Sequence, residues 1–241
     1  MNVLIGCEES GTVRDAFIKA GHNAVSCDLK AARNGGPHYK GDIFKLINDP
    51  SLWKQFGVVG QWDLLIAHPP CTYLCVTSNK WLKDQPPRKS GALVGAERRE
   101  AKEEAIDFFM QLAKVKIDHI CIENPVGCMS TFWQQPTQVI QPFQFGHPEP
   151  KKTCLWLKGL PPLVPTDIVE PEYHITKSGN RIGKWYAYAD KSNGQAGRAE
   201  IRSKTFPGIA DAMVNQWSDI ICPNEFTRFK TAKELKYKLG K

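Results

Sequence analysis

Short apolar runs alternate with helical patterns along most of the chain. Five runs have the length and composition of buried strands, at positions 3–5, 24–27, 63–67, 119–122 and 153–157. Helical periodicity covers about 12–20, 96–114 and 209–221. Strands that alternate with helices in this way predict an α/β fold built on a mainly parallel sheet.

The two later helices are amphipathic, and their apolar positions predict which side packs on the sheet. Over 96–114 the charged positions, Arg98 among them, are expected to form a solvated face. The apolar face of the last helix carries Ile209, Met213, Trp217 and Ile220.

The chain length of 241 residues allows one substantial core but not two ample domains. We expect a core over 1–158, a small recognition insert over 159–203, and a helix with a basic tail over 204–241 that returns to the core. The first apolar run is too short for a signal peptide, and no run approaches the roughly 18 apolar residues of a membrane span. A cytoplasmic protein without a membrane partner, with a monomer favoured, is the expectation.

Eight cysteines are present, and without a secretory signal they are expected to stay reduced. They form no C-x-x-C pair and no finger-like spacing with histidine, so we expect no metal site.

Cys71 follows the third apolar run in a position suited to chemistry. The preceding Pro69 and Pro70 prevent both further strand pairing and an immediate helix. Cys71 therefore leaves the sheet at the carboxyl end of a strand, where open α/β sheets bind ligands. The alternative is a small buried hydrophobe, which is the common role of cysteine.

A carboxylate is delivered to the same edge by the next apolar run. The run over 119–122 leads directly into Glu123, Asn124 and Pro125. We therefore expect the thiol of Cys71 and the acid of Glu123 to face one pocket.

The opening strand, helix and strand resemble a βαβ unit that binds a nucleotide-type cofactor. Asp28 ends the second strand, where an acid accepts from ribose hydroxyls. The glutamates of the first turn would repel a pyrophosphate, so S-adenosylmethionine or a close analogue is favoured over NAD. Asp42 is either a contact to an adenine amine or an ordinary turn acid. The turn residues expected at the cofactor are Cys7, Glu8, Glu9 and Ser10.

The net charge of +7 is unevenly distributed and suits a polyanion. A basic stretch that also carries aromatic residues favours nucleic-acid contact, whereas the basic tail over 228–241 fits a solvated terminus slightly better. The basic residues of the central stretch that we expect at DNA are Arg181, Lys184, Arg198 and Arg202.

Taken in order, these elements resemble the cytosine-5 DNA methyltransferase family, and most closely its short, phage-type members. The resemblance covers roughly residues 3–158: the βαβ start, the Pro-Pro-Cys71 and Glu123-Asn124 elements, and a Gly-x-Pro segment that leads to Lys151. It implies a Rossmann-like class I methyltransferase sheet with helices on both faces and a small irregular insert. It also places Pro69 at the cofactor and Thr72 at the DNA.

The resemblance further implies how the base is modified. Cys71 would add to C6 of cytosine, while Glu123 would hold N3 and the exocyclic amine. Asn124 would brace the loop that carries Cys71, and Lys151 would reach the base carbonyl. The substrate would be cytosine in DNA, flipped out of the stack if the DNA is duplex. Single strands, duplexes and free cytosine nucleotides all stay open as substrates.

Two other functions stay open. The segment from His68 to Tyr73 also resembles the Asn/Asp-Pro-Pro-Tyr loop of methyltransferases that modify exocyclic amines. A relative that binds nucleic acid without catalysis is the second, because the first turn lacks the family's glycine pattern.

Overall fold

The computed structural model describes residues 1–184, residue 187 and residues 205–223. Seven strands form one mixed sheet in the order β3-β2-β1-β4-β5-β7-β6. The first five strands of this order are parallel, and β7 runs antiparallel to both of its neighbours. The strands are β1 (Asn2–Gly6), β2 (Asn23–Asp28), β3 (His38–Lys40), β4 (Leu64–Ala67), β5 (His119–Pro125), β6 (Gln138–Ile140) and β7 (Thr153–Lys158).

Helices cover both faces of this sheet. The apolar side chains of β1 alternate, so that Leu4 packs with α2 and α3 while Val3 and Ile5 pack with α1 and α5. Gly21, with a φ of 85°, follows the end of α1 as predicted. The helices are α1 (Thr12–Lys19), α2 (Ile43–Asn48), α3 (Gly95–Ala113), the single turn α4 (Met129–Phe132) and α5 (Pro207–Ile221).

The strand order identifies the fold class. The connections run outward in opposite directions from β1 and β4, so a crevice forms where these two strands end. Five parallel strands followed by an antiparallel β7 between β5 and β6 make a Rossmann-like mixed sheet. The predicted α/β class, with helices on both faces, is confirmed.

Two predictions about helix faces are wrong. Arg98 is 4% exposed rather than solvated, because the first turn of α3 lies against the loop after β4. Ile220 is 48% exposed, because the packed face of α5 continues from the buried Trp217 to the partly buried Ile221, four residues further on.

The expected irregular insert contains a short hairpin. Its strands are β8 (Tyr173–Ile175) and β9 (Arg181–Gly183), which pair antiparallel. Strand β5 also continues through Glu123 to Pro125 instead of stopping at Ile122, because β7 pairs with it along this length.

Within the described residues, no helix is long and apolar enough to cross a membrane. The same part of the chain has no cluster of three or more His, Cys, Asp or Glu side chains that could hold a metal ion.

Candidate active site

The loop after β4 is tied to β5 by a buried hydrogen bond. The carbonyl of Pro69 accepts from Nδ2 of Asn124 at 2.7 Å, and Asn124 is 2% exposed. Asn124 lies on β5 directly after Glu123. The bond therefore joins the loop that carries Cys71 to the strand that carries the predicted base-binding carboxylate.

Arg98 anchors the same loop from the other side. Its guanidinium donates to the carbonyls of Thr72 and Leu93, each at 3.1 Å, and lies 5.0 Å from the centre of the Tyr73 ring. Cys71 stands between the two anchors, half-buried and in no disulfide, and Thr72 is exposed beside it. The backbone on both sides of the thiol is thus held in place.

His68 and Glu123 form a half-buried pair next to this loop. Nδ1 of His68 lies 3.0 Å from Oε2 of Glu123. Burial opposes both charges, but the hydrogen bond and the opposite charge of the partner outweigh it. The pKa of His68 is therefore raised and the pKa of Glu123 is lowered. Lys151 lowers the pKa of Glu123 further, so this edge of the sheet favours an imidazolium and a carboxylate.

A small cavity opens beside the pair and is lined in part by His68, Glu123 and Lys151. Its volume is about 10 Å³, room for about one water molecule. Cys71 is not part of the lining, and the cavity is too small for a pyrimidine ring. The remaining lining residues are Thr153, Thr205, Phe206, Ile209 and Met213.

Glu8 organises the turn after β1. Its carboxylate is 5% exposed and accepts the backbone N–H groups of Val13 at 2.8 Å and Arg14 at 3.3 Å. The hydroxyl of Ser10 donates to the same carboxylate at 3.2 Å. Because these N–H groups belong to the first turn of α1, Glu8 occupies the donors that would otherwise bind a phosphate.

Three further predicted cofactor residues lie around the ends of β1, β2 and β3. Cys7 has a φ of 57° and is the one non-glycine residue with a positive φ in the described part of the chain. Burial, and then the charge of Asp28, raise the pKa of the Cys7 thiol. Burial with Asp28 and Asp42 raises the pKa of Cys27 to about 12. The two carboxylates therefore face the same thiol-lined end of the sheet, although each also accepts the backbone N–H two residues further on.

Glu9 is engaged by the loop after β2. Its carboxylate pairs with Arg33 and, at 3.5 Å, with Lys30. Burial opposes its ionisation, but Arg33 outweighs this and the pKa of Glu9 is lowered. All seven predicted cofactor residues thus lie at or just after the carboxyl ends of β1 to β4, which meet at one edge.

The predicted DNA contacts are only partly within the described residues. Arg181 on β9 places its guanidinium 3.6 Å from the ring centre of Tyr173 on β8. Lys184 forms a 2.8 Å ion pair with Glu172. The cation of Arg181 is thus stacked on an aromatic ring, and the charge of Lys184, directly after β9, is compensated by Glu172. Outside the described residues lie Arg198 and Arg202.

Two residues at this site were missed as functional from the sequence. Arg98 precedes the buried Ile106 and Phe109 by eight and eleven residues, and this helical spacing could have revealed it. The pairing of His68 with Glu123 has no local signature, because 55 positions separate them.

Comparison with known proteins identifies a distant fold neighbour. No protein-family profile and no curated protein sequence matches the chain. One solved structure that it resembles is a predicted DNA modification methyltransferase encoded within a prophage of Escherichia coli, with 14% sequence identity and a TM-score of 0.43. The match covers 70% of this chain and 52% of the other, so this chain spans about half the length of the solved protein. At this level of similarity, only the geometry of the site itself bears on activity.

Proposed function

We propose that the protein transfers a methyl group from S-adenosylmethionine to C5 of cytosine in DNA through a covalent adduct with Cys71. The observation that carries the proposal is the buried hydrogen bond from Asn124 to Pro69. It holds the loop of a nucleophile against the strand of a base-binding carboxylate, Glu123. Addition to an unreactive pyrimidine needs both groups at one edge of the sheet.

The ends of β1 to β4 suit this methyl donor. Glu8 already occupies the N–H groups of α1, which disfavours a phosphate but not a nucleoside joined to an amino acid. Asp28 would accept from the ribose hydroxyls and Asp42 from the adenine amine. Bound there, S-adenosylmethionine supplies an electrophilic methyl group on a sulfonium.

Cys71 acts first as the nucleophile. As a thiolate, its Sγ adds to C6 and the π electron pair of C5=C6 moves to C4–C5. The π pair of C4=N3 moves to N3, which takes a proton, so that C5 becomes an enamine carbon. C5 then takes the methyl group. Loss of the C5 proton to water and departure of Cys71 as the thiolate restore C5=C6, and N3 gives its proton back to the group that supplied it.

Glu123 and Lys151 bind the base during these steps. Glu123 faces N3 and the exocyclic amine, and Lys151 reaches the carbonyl oxygen. A base in a duplex must leave the stack to do this, and Phe206 must yield space in the small cavity. Arg181 on the hairpin would contact DNA phosphates.

Covalent trapping tests the proposal. In an oligonucleotide with 5-fluorocytosine, fluorine replaces the hydrogen that must leave C5, so the adduct persists. With donor present, we expect a protein–DNA species that survives denaturation. Cys71→Ser should abolish it, and Cys75→Ser, four residues along the same loop, should retain it.

The contrary outcomes are distinct. A folded, donor-binding protein that forms no adduct would contradict the covalent mechanism. A methylated product from Cys71→Ser would instead support modification of the exocyclic amine. Absence of donor binding in the intact protein would favour a relative that binds nucleic acid without catalysis.

A further inference from the structure

Within the described residues, one ring nitrogen of His68 lies at hydrogen-bond distance from a partner and the other does not. Nδ1 lies 3.0 Å from Oε2 of Glu123, whereas Nε2 is buried and has no hydrogen-bond partner among the described residues. The backbone N–H of His68 donates to the carbonyl of Gly6 at 2.9 Å, which places the ring between the ends of β1 and β5. For an imidazole with only 12% of its side chain exposed, a hydrogen bond at one nitrogen alone is unusual.

Charged groups of both signs face His68. Glu123 approaches from β5 and Glu8 from the turn after β1, and both favour the imidazolium. Lys151, from the segment before β7, opposes it. Nδ1 and Oε2 lie at hydrogen-bond distance, and two acceptors cannot bond to each other. One proton therefore lies between these two atoms.

The addition of Cys71 to cytosine creates a demand for that proton. As Sγ bonds to C6, the electron pair displaced from the C4=N3 bond settles on N3, which must be protonated for the enamine to form. An ionised Glu123 has no proton to give. The required proton must then come from a group in contact with Glu123.

We infer that His68 is a positioning residue that supplies Glu123 with the proton delivered to N3, an inference that rests on the proposed function. The Nδ1 proton passes to the carboxylate, and the carboxyl group donates to N3 as the bond from Cys71 to C6 forms. When Cys71 departs, N3 returns the proton to Glu123 and Nδ1 takes it back. The imidazolium is thereby restored and no proton is lost.

A donor-free exchange assay tests the inference. Without a methyl donor, the adduct takes a deuteron at C5 in heavy water, loses its hydrogen and expels Cys71, so exchange at C5 reports the addition step alone. His68→Gln keeps a donor to Glu123 but has no proton to transfer. We expect exchange about 10- to 100-fold slower at about pH 7.5, the usual range for losing an acid–base group.

The pH profile separates this role from a structural one. In His68→Gln the alkaline limb of the exchange rate should move to lower pH by about one unit or more, with oligonucleotide affinity unchanged. His119→Gln is the matched control, because within the described residues the His119 ring makes one hydrogen bond, with the Asp63 carbonyl at 3.1 Å, at the opposite edge of the sheet. It should match the wild type.

Each remaining outcome is decisive. Unchanged rate and pH profile in His68→Gln would overturn the inference while leaving the proposed function intact. Exchange absent from the wild type, or persisting in Cys71→Ser, would overturn the proposed function itself. If His68→Gln does not fold, NMR titration of the wild-type imidazole decides, since a neutral His68 ring at about pH 6 would refute the proton supply.

Discussion

Substituting Asn124 by alanine should destabilise the fold and release the loop that carries Cys71. Among the described residues, the side chain of Asn124 makes one hydrogen bond, to the carbonyl of the buried Pro69, and its own Oδ1 is buried without a partner. Removing the amide therefore leaves the Pro69 carbonyl unsatisfied in a place that bulk water does not reach.

The expected magnitude follows from these contacts. A buried carbonyl without a donor costs about 1–3 kcal/mol, and the lost hydrogen bond adds about 1 kcal/mol. The alanine variant also loses Oδ1, so the desolvation cost of that buried atom disappears, which stabilises the fold by about 1 kcal/mol. We therefore expect the free energy of unfolding to fall by about 2 kcal/mol, which is about 4–8 °C in Tm for a protein of this size.

Urea denaturation of Asn124→Ala beside Asn48→Ala measures this effect. Asn48 makes the same kind of contact, from Nδ2 to the Phe44 carbonyl at 2.8 Å, but is exposed. Its substitution should change the free energy of unfolding by less than about 0.5 kcal/mol. Equal effects of the two substitutions would refute the argument that the Asn124 bond anchors the loop.

The remaining predictions concern pH and the donor. The contribution of His68 to stability should be complete below its ordinary pKa of 6.5 and lost as pH rises through its raised pKa in the folded state. The contribution of Glu123 should be complete above its ordinary pKa of 4.5 and lost as pH falls through its lowered pKa in the folded state. The stability difference between wild type and His68→Gln should thus be larger at about pH 5.5 than at about pH 9, and a flat difference would contradict a charged pair. Calorimetry should show S-adenosylmethionine binding weakened at least about tenfold by Asp28→Ala but not by Asp107→Ala on the exposed side of α3, and equal affinities would remove Asp28 from the donor site.

Local patterns predicted the long central strands because a buried parallel strand is a continuous apolar run. Strands β1, β2, β4 and β7 lie within a residue or two of the predicted runs. The three-residue strands β3 and β6 and the hairpin were missed, because edge strands of that length carry no apolar run to detect.

The sequence by itself determined which residues reach the carboxyl edge of the sheet. Two prolines before Cys71, and Glu123 at the end of an apolar run, are local features that hold in any packing of the strands. The order of these elements along the chain also carried the family resemblance.

Only the tertiary structure decided how those residues are charged and held. His68 meets Glu123 because β4 and β5 are neighbours, and Arg98 reaches Thr72 because α3 packs beneath the loop. Burial and charge compensation depend on which elements are adjacent, and adjacency is set by packing across the whole sheet rather than by spacing along the chain.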